Sequence, residues 1–220
     1  MEDHSDQSPL EKQQVRTNRV WWALGIVGVL AAFGLGFLLA RLFQPTIASA
    51  DITFAQNMTV HHSQAVEMAT YLYERTNDAG LKTIAYDIML SQQGQIGMMQ
   101  GWLELWNQPA TAPLGAMQQM MGMATQEQVN ALKTLPSPEL EKQFLELMIR
   151  HHQGGVAMAQ EELQKGSQPN VKRLADNIVK GQQAEIEYMQ GLLQKMGASP
   201  LPEATPMPMQ MDMPTMTPRP

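Results

Sequence analysis

The feature that most constrains this chain is a repetition without gaps. Residues 54–103 align on residues 144–193 at a constant offset of 90 positions. Identical pairs include Phe54/Phe144, Met58/Met148, His61/His151, His62/His152, Val66/Val156, Met68/Met158 and Ala69/Ala159. They continue through Ile88/Ile178, Gln92/Gln182, Gln93/Gln183, Ile96/Ile186, Met99/Met189 and Leu103/Leu193. A unit repeated in this way cannot bury its apolar face alone, so the two copies are expected to share one core. Each copy reads as two helices joined by a short turn, and two helical hairpins make a four-helix bundle. The abundance of Gln, Met, Leu, Ala and Glu, all good helix formers, agrees with an all-α fold.

The helix punctuation follows. Asp51 is expected to cap a first bundle helix running to about Arg75. Asn77-Asp78-Ala79-Gly80 is a turn, and a second helix runs from about Ala79 to Trp106. Within a long Met-containing connection, residues 107–137, Thr125-x-x-Gln128 predicts a capped short helix ending near Lys133. Ser137 as N-cap, with Pro138 at the first position, opens a third helix ending near Lys165-Gly166. Pro169 opens a fourth, which ends at Met196 before Gly197. The bundle domain is thus placed at 51–196, followed by a Met- and Pro-rich tail, 197–220, expected to be disordered.

Ahead of the bundle, Val20–Ala40 is an uncharged run of 21 residues. At ~1.5 Å per residue it spans roughly 30 Å, the thickness of a bilayer's hydrocarbon core. Trp21 and Trp22 suit the interface. Lys12, Arg16 and Arg19 precede the run and only Arg41 follows closely. That bias keeps residues 1–19 in the cytoplasm and places 51–220 in the periplasm or outside a bacterial cell. Ala48-Ser49-Ala50 resembles a signal-peptidase site, but the run exceeds the usual signal-peptide length, which favours an uncleaved single-pass anchor over residues 20–43.

Chemistry concentrates in two doublets, Met58-x-x-His61-His62 and Met148-x-x-His151-His152, which hold four of the chain's five histidines. At ~100° per residue Met58 projects between the two imidazoles, and Phe54, Ala65 and Ala69 share that general face. The doublets therefore flank the core-facing stripe. Buried neutral imidazoles need partners, and imidazole plus thioether, with no cysteine anywhere, suits Cu(I) and by the same softness Ag(I). The candidate ligands are His61, His62, His151, His152, Met58 and Met148. Met68, Met158, Met99 and Met189 are weaker candidates within the bundle. In the tail, Met207, Met209, Met211 and Met213 have no core to fill and are candidates for weak soft-metal capture. Gln92, Gln93, Gln182, Gln183 and Glu185 are candidate hydrogen-bond partners of the imidazoles or members of a solvated face.

Other chemistries are disfavoured. A di-iron bundle site needs Glu-x-x-His on facing helices, and neither doublet has Glu three residues before a His. A net charge of −6 argues against a nucleic-acid partner. No nucleophile–base pair or organic-cofactor fingerprint is present, so no enzyme activity is expected. The alternative is a non-catalytic interaction module whose doublets only set packing. Partners expected are the metal ion, the membrane through residues 20–43, and a second copy or a copper-handling protein.

The spaced pattern Phe-x-x-x-Met-x-x-His-His-x-x-x-x-x-Met-Ala, with Gln182, Glu185, Ile186 and Met189 in the partner helix, resembles the bacterial family known as domain of unknown function 305. It is also similar to periplasmic copper-binding proteins of that family. The resemblance covers about residues 51–196 and implies a ferritin-like four-helix bundle associated with copper, without implying an enzyme. The first repeat departs from it in one place: Gln95 stands where the family usually has Glu.

Overall fold

The computed structural model describes residues 9–42, 47–111 and 120–198. The chain forms two compact units, divided at residues 46 and 47. The first contains α1 (Pro9–Leu42), a helix of 34 residues. Its large apolar side chains, among them Trp22, Phe33 and Phe37, are exposed. Among the residues described in side-chain detail, which in α1 are 22 and 24–39, no helix is long and apolar enough to cross a membrane.

The second unit is helical throughout its described residues: α2 (Ser49–Arg75), α3 (Ala79–Leu105), α4 (Gln126–Ala131), α5 (Glu139–Lys165) and α6 (Pro169–Lys195). The four long helices have 27 residues each. Both ends of α2 and α5 are offset by 90 positions, as are both ends of α3 and α6. α2 packs on α3 and α5 on α6, and the two hairpins meet along α2 and α5. Two buried apolar clusters fill the interior. One includes Met68, Leu72, Ile88, Phe144, Met148 and Met189. The other includes Phe54, Met58, Met99, Ala159, Val171 and Ile178. The four doublet histidines are fully buried.

Helix starts differ from the sequence expectation at two acids. Asp51 does not cap α2: it lies in the first turn and accepts the Ala48 N–H at 2.9 Å. Its carboxylate also accepts from the Gln168 N–H at 2.9 Å, the Ser167 N–H at 3.1 Å and the Ser167 hydroxyl at 2.7 Å. Likewise Ser137 does not cap α5, whose cap is Pro138. Ser137 donates instead to Glu141, at 2.9 Å, and Thr76 donates to the same oxygen at 3.0 Å. Asp51 and Glu141 occupy equivalent positions of the repeat, and each ties the first turn of its helix to the turn of the other hairpin.

Beside Asp51 lies Glu162, 2% exposed. Burial, and after it the Asp51 carboxylate, push the Glu162 carboxyl up to about 8 from 4.5, while Lys172 works against them. The unfolded chain releases this proton near pH 4.5 and the folded chain only near pH 8, so ionisation costs the fold stability as pH rises across that window. Glu162→Gln removes the cost. Thermal melts should show the variant overtaking the parent between pH 5 and 8, by about 2–4 °C for each kcal/mol relieved, with the gap closing below pH 4.5.

Candidate metal centre

The doublets fall where α2 and α5 face each other. The rings of His61 and His151 stack with centroids 3.7 Å apart. Within each doublet the centroids are 6.3 Å apart. The structure thus brings all four imidazoles into one layer. The methionines divide around it: Met58 and Met99, with Met158 packed against them, belong to one apolar cluster, and Met148, Met189 and Met68 to the other. All but Met158 are fully buried. The tail residues Met207, Met209, Met211 and Met213 lie outside the described residues.

The outer ring nitrogens are held. His62 Nε2 lies 2.6 Å from Gln95 Oε1 and His152 Nε2 lies 2.7 Å from Glu185 Oε2. His61 Nε2 lies 3.3 Å from the Met121 carbonyl oxygen. These oxygens accept, so each imidazole donates from Nε2 and keeps its lone pair on Nδ1. The Nδ1 atoms of His61, His62 and His152, and both ring nitrogens of His151, are buried without a hydrogen-bond partner. Left alone, such a group costs about 1–3 kcal/mol. Imidazoles that ligate a metal characteristically donate their other N–H to a carboxylate or carbonyl, which fixes the tautomer and the ring orientation.

His61, His62 and His151 stay uncharged at neutral pH. Burial, then the neighbouring His62 and His152, lower His61 to about 3 from 6.5, against the Met121 carbonyl. Burial lowers His62 to about 4 and carries His151 well below the ordinary imidazole range. Neutral imidazole is the form that binds a metal. Among the described residues no three His, Asp or Glu side chains are grouped to hold an ion by themselves. Met58 and Met148 each precede a doublet by one helical turn, so thioethers belong to the same helices as the imidazoles.

Among the supporting residues Glu185 is an imidazole partner as expected, Gln95 is a second, outside the expected set, and Gln93 and Gln183 are exposed. Gln92 and Gln182 are buried and leave their amides without partners. The connection also builds the site. Gln64 donates to the Ala124 carbonyl at 2.9 Å and accepts its N–H at 2.8 Å, seating residues 120–124 over the histidine layer. Gly154 permits the approach, since a Cβ there would stand 2.0 Å from the Met121 carbonyl oxygen. Gly122 adopts φ +80°, and a Cβ would meet the Arg150 carbonyl oxygen at 2.4 Å. The repeat carried a signal for this: Gly154 stands opposite Gln64, in the middle of three successive mismatches, 63–65 against 153–155, that follow the matched doublets.

Comparisons with known proteins place the fold in a family. The family model "Domain of unknown function (DUF305)" matches residues 51–193, so the chain belongs to that family. A DUF305 protein of Streptomyces coelicolor is 41% identical, with a TM-score of 0.66, covering 70% of this chain and 98% of that one. A DUF305 fragment from Deinococcus radiodurans is 41% identical, with a TM-score of 0.64, over 69% of this chain and 99% of that one. CopM in its Cu(I)-bound form is 29% identical, with a TM-score of 0.57, over 66% of this chain and 96% of that one. Similar structures include CopM with silver and with Cu(II). The uncharacterized protein L153 of Acanthamoeba polyphaga mimivirus is 37% identical over 54 residues, 24% of this chain and 36% of that relative's length.

Proposed function

We propose that this DUF305 chain is an extracytoplasmic, membrane-anchored protein that binds Cu(I), and by the same chemistry Ag(I), for copper capture, buffering or resistance. The observation that carries the reading is the set of buried, unpartnered imidazole nitrogens facing fixed Nε2 partners. His61, His62, His151 and His152 are the proposed ligands, with Met58 and Met148 as soft partners on either side of the layer. Met99 and Met189, fully buried in the two flanking clusters, extend the thioether supply. The structures of CopM with copper and silver support the assignment to soft metals. We read the four long helices as a ferritin-like bundle, in which no group of three His, Asp or Glu side chains suited to a di-iron centre occurs among the described residues.

Anchoring through residues 20–43 rests on the uncharged run and the basic residues ahead of it. The reading further assigns weak ion collection to the tail and binding, not catalysis, to the bundle. A second copy or a copper-handling protein would receive the ion.

Anaerobic titration of the full chain with Cu(I) against a competing chelator tests the centre. Replacing all four histidines by Ala is expected to weaken binding by more than about 100-fold. Unchanged affinity would reject the doublets as the site. If in addition neither copper nor silver moves the unfolding midpoint, the alternative of a packing-only interaction module is favoured, because selective binding to the folded state must stabilise it.

A further inference from the structure

A cavity of about 80 Å³ opens between the start of α2 and the end of α5, lined by Ala50, Thr53, Phe54, Asn57, Met158, Glu161 and Glu162. Its chemistry is unlike that of the rest of the bundle surface. A thioether, an amide and two carboxyl groups share it. Glu162 is 2% exposed and neither of its oxygens meets a partner in hydrogen-bond geometry. Met158 packs against the buried cluster that contains Met58 and Met99, and Met58 lies one turn from His61.

The repeat supplies an internal control. At the other end of the bundle the equivalent positions are Leu140 for Ala50, Leu147 for Asn57, Tyr71 for Glu161, Leu72 for Glu162 and Met68 for Met158. There Leu140, Leu147, Leu72 and Met68 are at most 2% exposed. One end of a duplicated fold is therefore plugged with leucine, and the other is opened and made polar around a methionine.

We propose that this cavity is the port through which a soft monovalent cation reaches and leaves the histidine layer, with Met158 as its first thioether contact. The proposal rests on the reading of that layer as a Cu(I) or Ag(I) site. Glu161 is the ionised carboxylate at this mouth, paired with Lys165 at 2.7 Å, while Glu162, kept protonated at neutral pH by burial and the Asp51 carboxylate with Lys172 acting against them, offers a neutral carboxyl oxygen to an entering cation. The thioether series Met158, Met58 and Met99 lets the ion shed water while keeping soft ligands.

The test is stopped-flow transfer of Cu(I) between a coloured chelator and the full chain, repeated with Ag(I). Asn57→Leu copies the closed end and Met158→Leu conserves volume while removing the sulfur, so both should fold. Each is expected to slow uptake and release together by about tenfold or more, leaving the equilibrium affinity within about threefold of the parent. Met68→Leu, at the closed end, should leave both rates unchanged. Unchanged rates in both port variants overturn the proposal, as does equal slowing by Met68→Leu. An affinity that falls in step with uptake also overturns it, because Met158 would then be a ligand of the central site. A parent chain that takes up neither ion overturns the central site itself, which separates that failure from failure of the port.

Discussion

Ion-free protein is expected to unfold between about pH 6 and pH 4, and His61, His62 and His151 are the reason. Their folded-state pKa values lie below the 6.5 of the unfolded chain, near 3 for His61, near 4 for His62 and well below 6.5 for His151. The unfolded chain therefore takes up protons that the folded chain refuses. Stability from this source is complete above pH 6.5 and declines as pH falls toward the folded values. Each pH unit costs about 1.4 kcal/mol per histidine, so at pH 4.5 His61 and His62 together cost roughly 5 kcal/mol, and His151 adds to the loss in the same direction. A domain's whole stability is about 5–15 kcal/mol. Asp51, held below the usual carboxylate range by the N–H and hydroxyl donors around it despite its burial, adds to the loss at still lower pH. Glu162 works the other way, adding stability to the fold as pH falls from about 8 until the unfolded chain's carboxyl is protonated too, near pH 4.5. Helicity followed by circular dichroism against pH measures the midpoint. His62→Gln should move it to lower pH, and saturation with Ag(I) should move it further. A fold intact at pH 3 without metal would refute the buried neutral layer.

The second large effect is expected at a glycine. In Gly154→Ala the new methyl would fall 2.0 Å from the Met121 carbonyl oxygen and 2.5 Å from its carbonyl carbon. Both are backbone atoms, so no rotamer change relieves the contact. Residues 120–124 must lift from α5, taking the Met121 carbonyl from His61 and straining the paired Gln64–Ala124 hydrogen bonds. Overpacking of this kind costs about 3 kcal/mol, or roughly 6–12 °C for a domain of this size. Thermal melts read the loss, and limited proteolysis should show new cleavage near residues 120–125. Gly97 is the control, since nothing lies within 4 Å of its added Cβ. Gly97→Ala should be neutral or stabilising by about 0.5–1 kcal/mol. Equal melting temperatures for the two variants would show that the connection does not seat on Gly154.

Much of this was legible in the sequence because two independent signals coincided. The apolar stripe around Phe54, Ala65 and Ala69, and the turns at Asn77-Asp78-Ala79-Gly80 and Gly166, placed the helices. Repetition then placed His61 opposite His151. Errors arose where one residue type serves two purposes. Asp51 looks like an N-cap, yet its carboxylate is spent on a turn more than a hundred positions away. Ser137 looks like a cap and instead serves Glu141. The bonds from Asp51 to residues 167 and 168, being long-range, leave no local periodicity to read. The seat of residues 120–124 was hidden for the same reason, because a connection that packs through backbone carbonyls has no apolar pattern. What did carry information was departure from the repeat: Gln64 against Gly154, Asn57 against Leu147, Leu72 against Glu162 and Gln95 against Glu185 each mark a place where the halves took on different work.

The two buried acids have a further consequence. Asp51 is completed by the turn before α6, and Glu141 by Thr76 in the turn before α3. Each hairpin satisfies its own first-turn carboxylate only in part, through Ala48 or Ser137, and the other hairpin supplies the rest. A half-length chain meets that requirement only by pairing with a second copy, each lending its turn to the other. The bundle has the form of such a pair fused end to end, and fusion is what allowed its two mouths, its two carboxyl-or-amide supports and its two faces of methionine to drift apart without any loss of partnership.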